Sequence, residues 1–183
     1  MIHEKLRVEV RKDIGKEESP SVGIIDSQSA RMTSVAGEEK GYDGGKKVKG
    51  RKRHIIVGTL GLLIEVVVHR ANKHDSKAAK EVFEQLNENR FDFSRLEKFY
   101  ADGGYRGELG DWLKKQFNWN LEVVKRTELH KFKVLPKRWI VERTFAWLNN
   151  YRRLIADYER LTESSLAFIK LSMVNFMIIR IFK

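Results

Sequence analysis

Three carboxylates, Asp26, Asp102 and Glu142, stand in sequence contexts that favour catalytic chemistry. Asp26 and Asp102 each follow a short apolar or aromatic run and precede small or polar residues, a pattern that predicts the end of a strand. Because open α/β sheets place their chemistry at the carboxyl ends of strands, we expect the two aspartates to converge there. Glu142 lies inside a predicted helix beside the apolar Ile140 and Val141, so its side chain can face the sheet.

Oxygen ligands of this kind suit Mg²⁺ or Mn²⁺, which favour carboxylates and retain waters that a substrate phosphate can replace. The chain has no cysteine, which excludes disulfides and thiolate zinc sites. Two hard ions held about 4 Å apart activate the attacking oxygen and stabilise the leaving oxygen of a phosphodiester. Each residue also has a purely structural interpretation: a turn or cap for Asp26 and Asp102, and an ion-pair partner of Arg138 or Arg143 for Glu142.

The charge balance favours a polyanionic partner. Lysine and arginine number 36 against 25 acidic residues, a formal charge of +11, so nucleic acid is the leading candidate partner and a soluble protein that is simply basic is the alternative. A dense basic run before a predicted strand is expected to contact the DNA backbone, with a solvated loop as the alternative; it comprises Lys46, Lys47, Lys49, Arg51, Lys52, Arg53 and His54. A second basic group flanks Glu142 and comprises Lys131, Lys133, Lys137, Arg138, Arg143, Arg152 and Arg153.

The hydrophobic patterns predict an α/β fold, a mixed sheet with helices on its faces. Residues 1–20 mix both signs of charge and indicate a linker or the remnant of an N-terminal region, partly helical at most and burying little, and we expect residues 21–183 to form one domain that carries the three carboxylates. Two β-branched runs around GTLG predict a hairpin, and a helix is expected to start at a cap supplied by Asp75 or Ser76. Two long C-terminal helices are predicted over residues 138–161 and 165–182. Polar residues interrupt the second one, which favours a buried helix over a membrane span.

Five motifs carry a resemblance to a known family. IIDSQS, KGRKRHIIV, ANKHD, ADGGYRG and RWIVERTFAWLNNYRRL resemble, in this order, bacterial insertion-sequence DDE transposases of the four and five supergroup, in the branch whose first acidic motif is DSQS. The resemblance runs from Pro20 to about Arg160. It implies an RNase H-like fold in which Asp26, Asp102 and Glu142 bind Mg²⁺ or Mn²⁺ and cut and rejoin DNA at transposon ends and target.

Three positions depart from that resemblance. The helix signature of the supergroup is matched by Arg138 and Glu142, but Leu135 and Asn149 stand where it has Tyr and Lys. Gly58 stands where the branch commonly has Asp. The first two departures bear on phosphate contacts that Tyr and Lys would make.

The resemblance also implies a helical region ahead of DSQS, of which this chain carries about one helix. Two alternatives to an active transposase therefore remain: a nuclease of the same fold, and a catalytically silent DNA-binding remnant that acts as an inhibitor. A second copy of the chain is a candidate partner. The N-terminus lacks the apolar segment of a signal peptide, so an intracellular protein is expected, and the resemblance implies a bacterial cytoplasmic, nucleoid-associated one.

Overall fold

The computed structural model describes residues 2–34, 37, 39–89, 93–124 and 137–182. Its strands are β1 (Val22–Arg31), β2 (Gly41–Asp43), β3 (Val48–Val57), β4 (Leu63–Arg70), β5 (Lys98–Ala101) and β6 (Asn120–Val123). Its helices are α1 (Ile2–Asp13), α2 (Asp75–Glu88), α3 (Leu109–Phe117), α4 (Arg138–Asn149), α5 (Arg152–Ile155) and α6 (Thr162–Ile181), with a 3-10 turn at Gly103–Tyr105.

The strands form one mixed sheet. β3 pairs antiparallel with β1 on one edge, and with β4 and the short β2 on the other. β1 pairs in parallel with β5, and β5 pairs in parallel with β6. The order β4–β3–β1–β5–β6, with helices on both faces, confirms the expected α/β class and is consistent with an RNase H-like fold. The predicted hairpin is confirmed as β3 and β4.

Each face of the sheet has its own apolar core. On one face, Ile24 packs with residues of α1, α4 and α6, including Val141 and Met173. On the other face, Ile25 packs with residues of α2 and α3, including Phe83 and Leu113. Because side chains alternate between the faces of a strand, Asp26 follows Ile24 onto the α4 face, and Ser27 follows Ile25 onto the α2 face.

Two expectations about helices are wrong. The segment predicted to bury little contains α1, whose Arg7 and Val10 are buried and which packs against α6. The predicted helix over residues 138–161 ends at Asn149 and resumes only as the short α5. The chain then leaves helical geometry because Asp157 is drawn to the sheet, where its backbone N–H donates to the carbonyl of Arg31 at 2.8 Å.

The last helix, α6, combines two surfaces. Ile169, Met173 and Met177 are buried in the core, whereas Leu171 and Ile178 are exposed. By length and composition α6 is apolar enough to cross a membrane, a property that core helices of soluble proteins share. Its contacts with α1 and β4 pack one side of α6 against the fold.

Candidate active site

Asp26 lies inside β1 and not at its end, so the predicted strand boundary is wrong. β1 continues to Arg31 because its partner β3 is equally long. The parallel pairing of β1 with β5 stops earlier, at Ile24 and Tyr100. The two strands therefore separate just before Asp26, and this opening replaces the expected strand end.

Asp26 and Asp102 come together at that opening. Ile24 pairs with Tyr100, so the same register carried two residues further brings Asp26 beside Asp102 on the α4 face of the sheet. Both aspartates line one small recess of about 10 Å³ together with Tyr100 and Arg138. That volume is close to one water-sized sphere.

The position of Asp102 is fixed by the turn that follows it. Its Oδ1 accepts a hydrogen bond of 2.8 Å from the backbone N–H of Gly104 and so caps the 3-10 turn. A side chain at position 104 would put its Cβ only 3.1 Å from that oxygen. Gly104, the second glycine of ADGGYRG, therefore makes room for the carboxylate.

The environment of Asp26 disfavours its ionised form. Burial, with a smaller contribution from the negative charge of Asp102, raises the pKa of Asp26 to about 6. The hydrogen bond from the backbone N–H of Ser27, at 2.7 Å, and the charges of Arg138 and Lys46 offset part of that increase. Two acidic groups facing one recess form a place where a bound cation would relieve repulsion.

Glu142 stands at the edge of this arrangement. Arg138, one helical turn before it, lies between the acidic groups, with Nε 3.0 Å from Glu142 Oε1 and Nη2 3.5 Å from Asp102 Oδ2. The Glu142 side chain is 55% exposed. The structure thus brings the two aspartates to one recess and connects Glu142 to them through Arg138.

The donor set fits a hard divalent cation at the two aspartates. Within the described ranges, no group of three acidic or histidine residues is close enough to hold a metal ion. Asp26 and Asp102 supply the oxygen ligands that Mg²⁺ prefers, and its remaining positions would be filled by water or phosphate. Glu142 would join them only after leaving Arg138.

Four members of the predicted DNA-binding run are buried, and for them the prediction is wrong. Arg51, Lys52, Arg53 and His54 are between 0% and 5% exposed because they lie in β3, the strand between β1 and β4, with helices on both faces. Their side chains alternate: Arg51 and Arg53 face α5 and the segment after it, and Lys52 and His54 face α2. These four side chains make hydrogen bonds inside the protein.

The guanidinium groups on this strand tie distant segments together. Arg51 donates to the carbonyls of Glu159, Arg160 and Leu161, and its Nη1 is 3.4 Å from Asp157 Oδ1. Arg53 donates to the carbonyl of Leu154 at 2.6 Å. These bonds hold the segment after α4 against the sheet.

Other cations of the run remain at the surface. Lys46, Lys47 and Lys49 are exposed on the β2–β3 hairpin. Lys46 reaches the candidate site, since its Nζ donates to the carbonyl of Ser27 at 3.0 Å. Beyond it lies a cavity of about 370 Å³ whose charged lining residues are all basic: Arg31, Lys40, Lys47 and Lys49.

The second basic group is partly committed to contacts within the fold. Arg143 lies over the rings of Trp139 and Trp147, 4.6 Å from each centroid. Arg153 donates to Glu159 at 2.8 Å, whereas Arg152 is exposed. Lys131 and Lys133 lie outside the described residues.

A polar cluster on the α2 face is a feature that the sequence did not indicate. Asp75 or Ser76 was expected to cap α2, but the cap is His74. Asp75 Oδ1 instead accepts from Ser27 Oγ and Lys52 Nζ, both at 2.9 Å. Lys52 also donates to the carbonyl of Lys73.

The three departures from the resembled pattern lie away from the aspartates or outside the described residues. Gly58 has room for a side chain, because a Cβ at this position would lie 3.7 Å from Pro20, its nearest neighbour, which is an ordinary contact distance. Asn149 is exposed at the end of α4. Leu135 lies in a segment that the structure does not describe.

The fold agrees with the comparison to known protein families. The family described as "Transposase DDE domain" matches residues 17–176, and the chain belongs to this family. A curated relative from Burkholderia cepacia bears the name "Putative transposase for insertion sequence element IS402". It is 29% identical to this chain over 126 residues, which cover 67% of the chain and 60% of the relative's length.

Proposed function

We propose that this chain is the catalytic domain of an insertion-sequence transposase, which cuts DNA strands at the ends of an element and joins them to target DNA. The convergence of Asp26 and Asp102 at the opening between β1 and β5 carries the proposal. Membership of the transposase family supplies the substrate class.

The chemistry follows from the residues around the recess. A divalent ion, Mg²⁺ or Mn²⁺, held by Asp26 and Asp102, would polarise a phosphodiester and its attacking oxygen. Asp26 must lose its proton to act as a ligand, which its pKa of about 6 permits at neutral pH. Arg138 has two roles: it balances the acidic charge in the free protein and is placed to meet a phosphate near Asp102.

Glu142 is the third proposed ligand. It is tied to Arg138 in the free protein, and a DNA phosphate that pairs with the guanidinium would release it. The exposed side chain can then turn toward Asp102 without disturbing buried contacts. DNA and metal would thus complete the site together.

We propose that the DNA lies along the exposed lysine and arginine residues of the two basic groups and of the neighbouring cavity. Its path leads from Lys46, beside Asp26, to the basic cavity bounded by Arg31, Lys40, Lys47 and Lys49. Arg152, exposed at the start of α5, is a further candidate for phosphate contact. These cations would contact phosphates and contribute affinity with little sequence selectivity.

The proposal is tested by DNA cleavage and joining with the element's own ends. Wild-type protein should cut in Mg²⁺ or Mn²⁺ and not in chelator, and Ca²⁺ should support binding with little chemistry. Asp26→Asn, Asp102→Asn and Glu142→Gln should each abolish cleavage and leave folding intact. Asp111→Asn, which removes an exposed carboxylate on α3, is the matched control and should cut normally.

The products separate the proposed transposase from a nuclease. A transposase joins the freed 3′-hydroxyl to a second duplex, whereas a nuclease leaves only cut ends. Cleavage by Asp26→Asn at the wild-type rate would contradict the assigned site.

A further inference from the structure

We propose that Tyr105 is a positioning residue that sets the place of Asp102 relative to Asp26 through a buried hydrogen-bond chain to His54 and His69. This inference rests on the proposed metal site. Neither histidine nor the tyrosine is used by the chemistry described above.

Tyr105 connects the turn after Asp102 to the sheet at a point beyond the last hydrogen-bonded pair of β1 and β5. The pairing of β1 with β5 ends at Ile24 and Tyr100, so no ladder hydrogen bond fixes Asp102 against β1. Asp102 caps the 3-10 turn, and Tyr105 ends that turn with its ring 1% exposed in the core. The Tyr105 hydroxyl lies 2.7 Å from Nε2 of His54 on β3. The phenol therefore anchors the turn of Asp102 to the central strand.

The contact between His69 and the carbonyl of Arg70 determines which atom donates in each hydrogen bond from Tyr105 to His69. His69 Nδ1 lies 2.9 Å from the carbonyl oxygen of Arg70, which can only accept, so Nδ1 carries the proton. Burial lowers the pKa of both histidines, that of His54 to about 3, so both rings are neutral. His69 Nε2 is then an acceptor, and His54 Nδ1 donates to it across 3.3 Å. His54 Nε2 must accept, and Tyr105 donates.

This single proton arrangement links the surroundings of both aspartates. His54 is paired in register with Ser27, the residue after Asp26. Burial, together with the negative charges of Asp26, Asp75 and Asp102, raises the pKa of Tyr105 well above its ordinary value. The Tyr105 hydroxyl therefore stays protonated and donates its hydrogen bond to His54.

The alternative is that Tyr105 only fills the core and that its hydroxyl simply needs a partner. The two interpretations differ for Tyr105→Phe, which keeps the ring and removes the donor. A core role predicts a modest loss of stability and wild-type metal affinity. A positioning role predicts weaker metal binding, by about 10- to 100-fold, the range found when outer-shell partners of metal ligands are removed.

The first experiment is a nitrogen-15 NMR spectrum of the histidine rings in the wild-type protein, which needs no variant to fold. Both His54 and His69 should be neutral with the proton on Nδ1. Tyr105→Phe should shift the Nε2 signal of His54, which loses its donor. A proton on Nε2 of either ring would overturn the proposed chain.

The second experiment is a titration with Mn²⁺, followed by the electron paramagnetic resonance of the free ion. The matched control is Ser165→Ala, which deletes a buried hydroxyl bonded at 2.8 Å to Asp157, away from the aspartates. Tyr105→Phe should weaken Mn²⁺ binding and Ser165→Ala should not. Equal affinities in wild type and Tyr105→Phe would refute the positioning role, whereas absence of Mn²⁺ binding by the wild type would refute the metal site and this inference with it.

Discussion

Asp26 carries an electrostatic cost in the free protein that its neighbours offset only in part. Its pKa of about 6 lies above the ordinary value of 3.8 because burial and the charge of Asp102 disfavour the ionised carboxylate. Functional sites commonly retain such costs because the perturbed group is needed for chemistry. A cation bound between Asp26 and Asp102 would favour the ionised carboxylate of Asp26 and so remove this cost.

Replacing Asp26 should therefore stabilise the free protein at neutral pH. Between pH 3.8 and about 6 the unfolded chain loses this proton first, so the folded state loses stability as pH rises, and the cost is complete above about pH 6. Asp26→Asn should raise the free energy of unfolding by about 1–2 kcal/mol at pH 7.5, after allowance for partial solvent exposure, with little gain at pH 4. Urea unfolding at the two pH values measures the difference. An equal effect at both would argue against a charge-based cause.

At the scale of elements, the position of β3 in the sheet determines which residues of the basic run (residues 46–54) are buried. Its composition resembles a solvated DNA-binding loop, yet it is a central strand whose alternate side chains enter two cores. The apolar residues of RHIIV predicted a strand, but its start at Val48 could not be read from the sequence. Whether a basic residue is buried depends on partners more than 100 positions away, as Arg51 and Asp157 show.

Substitutions at Arg51 and Lys47 should consequently have very different effects on the free energy of unfolding. Arg51→Met leaves Asp157 and several carbonyls without their buried partner, which should lower the free energy of unfolding by about 3–5 kcal/mol. Lys47→Gln removes an exposed charge and should change it by less than about 0.5 kcal/mol. Denaturant titrations of both variants provide the comparison. A stable Arg51→Met protein would mean that the buried network contributes little.

At the scale of the whole molecule, the surface charge left after burial determines DNA affinity. Each phosphate contact contributes about 0.9 to the slope of log affinity against log salt concentration. Lys47→Gln combined with Lys49→Gln should therefore reduce the magnitude of that slope by about 1.8. Anisotropy titrations in Ca²⁺, on the element's end and on a scrambled duplex, give the slopes. An unchanged slope would place the DNA path elsewhere.

The sequence allowed the fold class, the hairpin and the candidate acidic residues to be predicted, because strand and helix periods and the motif order are local signals. It did not reveal that Asp26 lies inside a strand, since the opening at that point depends on where the partner β5 stops. The contacts of Tyr105 with His54 were also hidden, because they join residues 51 positions apart. Local patterns indicate elements, whereas the geometry of a site depends on pairing.

The most direct test of the central claim is whether Asp26 and Asp102 bind one divalent cation together. Mn²⁺ titrations should be made on wild-type protein, Asp26→Asn, Asp102→Asn and the control Asp111→Asn, each at pH 7.5 and without DNA. Wild type and Asp111→Asn should bind Mn²⁺ with equal affinity, and each of the other two variants should lose that binding. Wild-type affinity in both Asp26→Asn and Asp102→Asn would contradict the account.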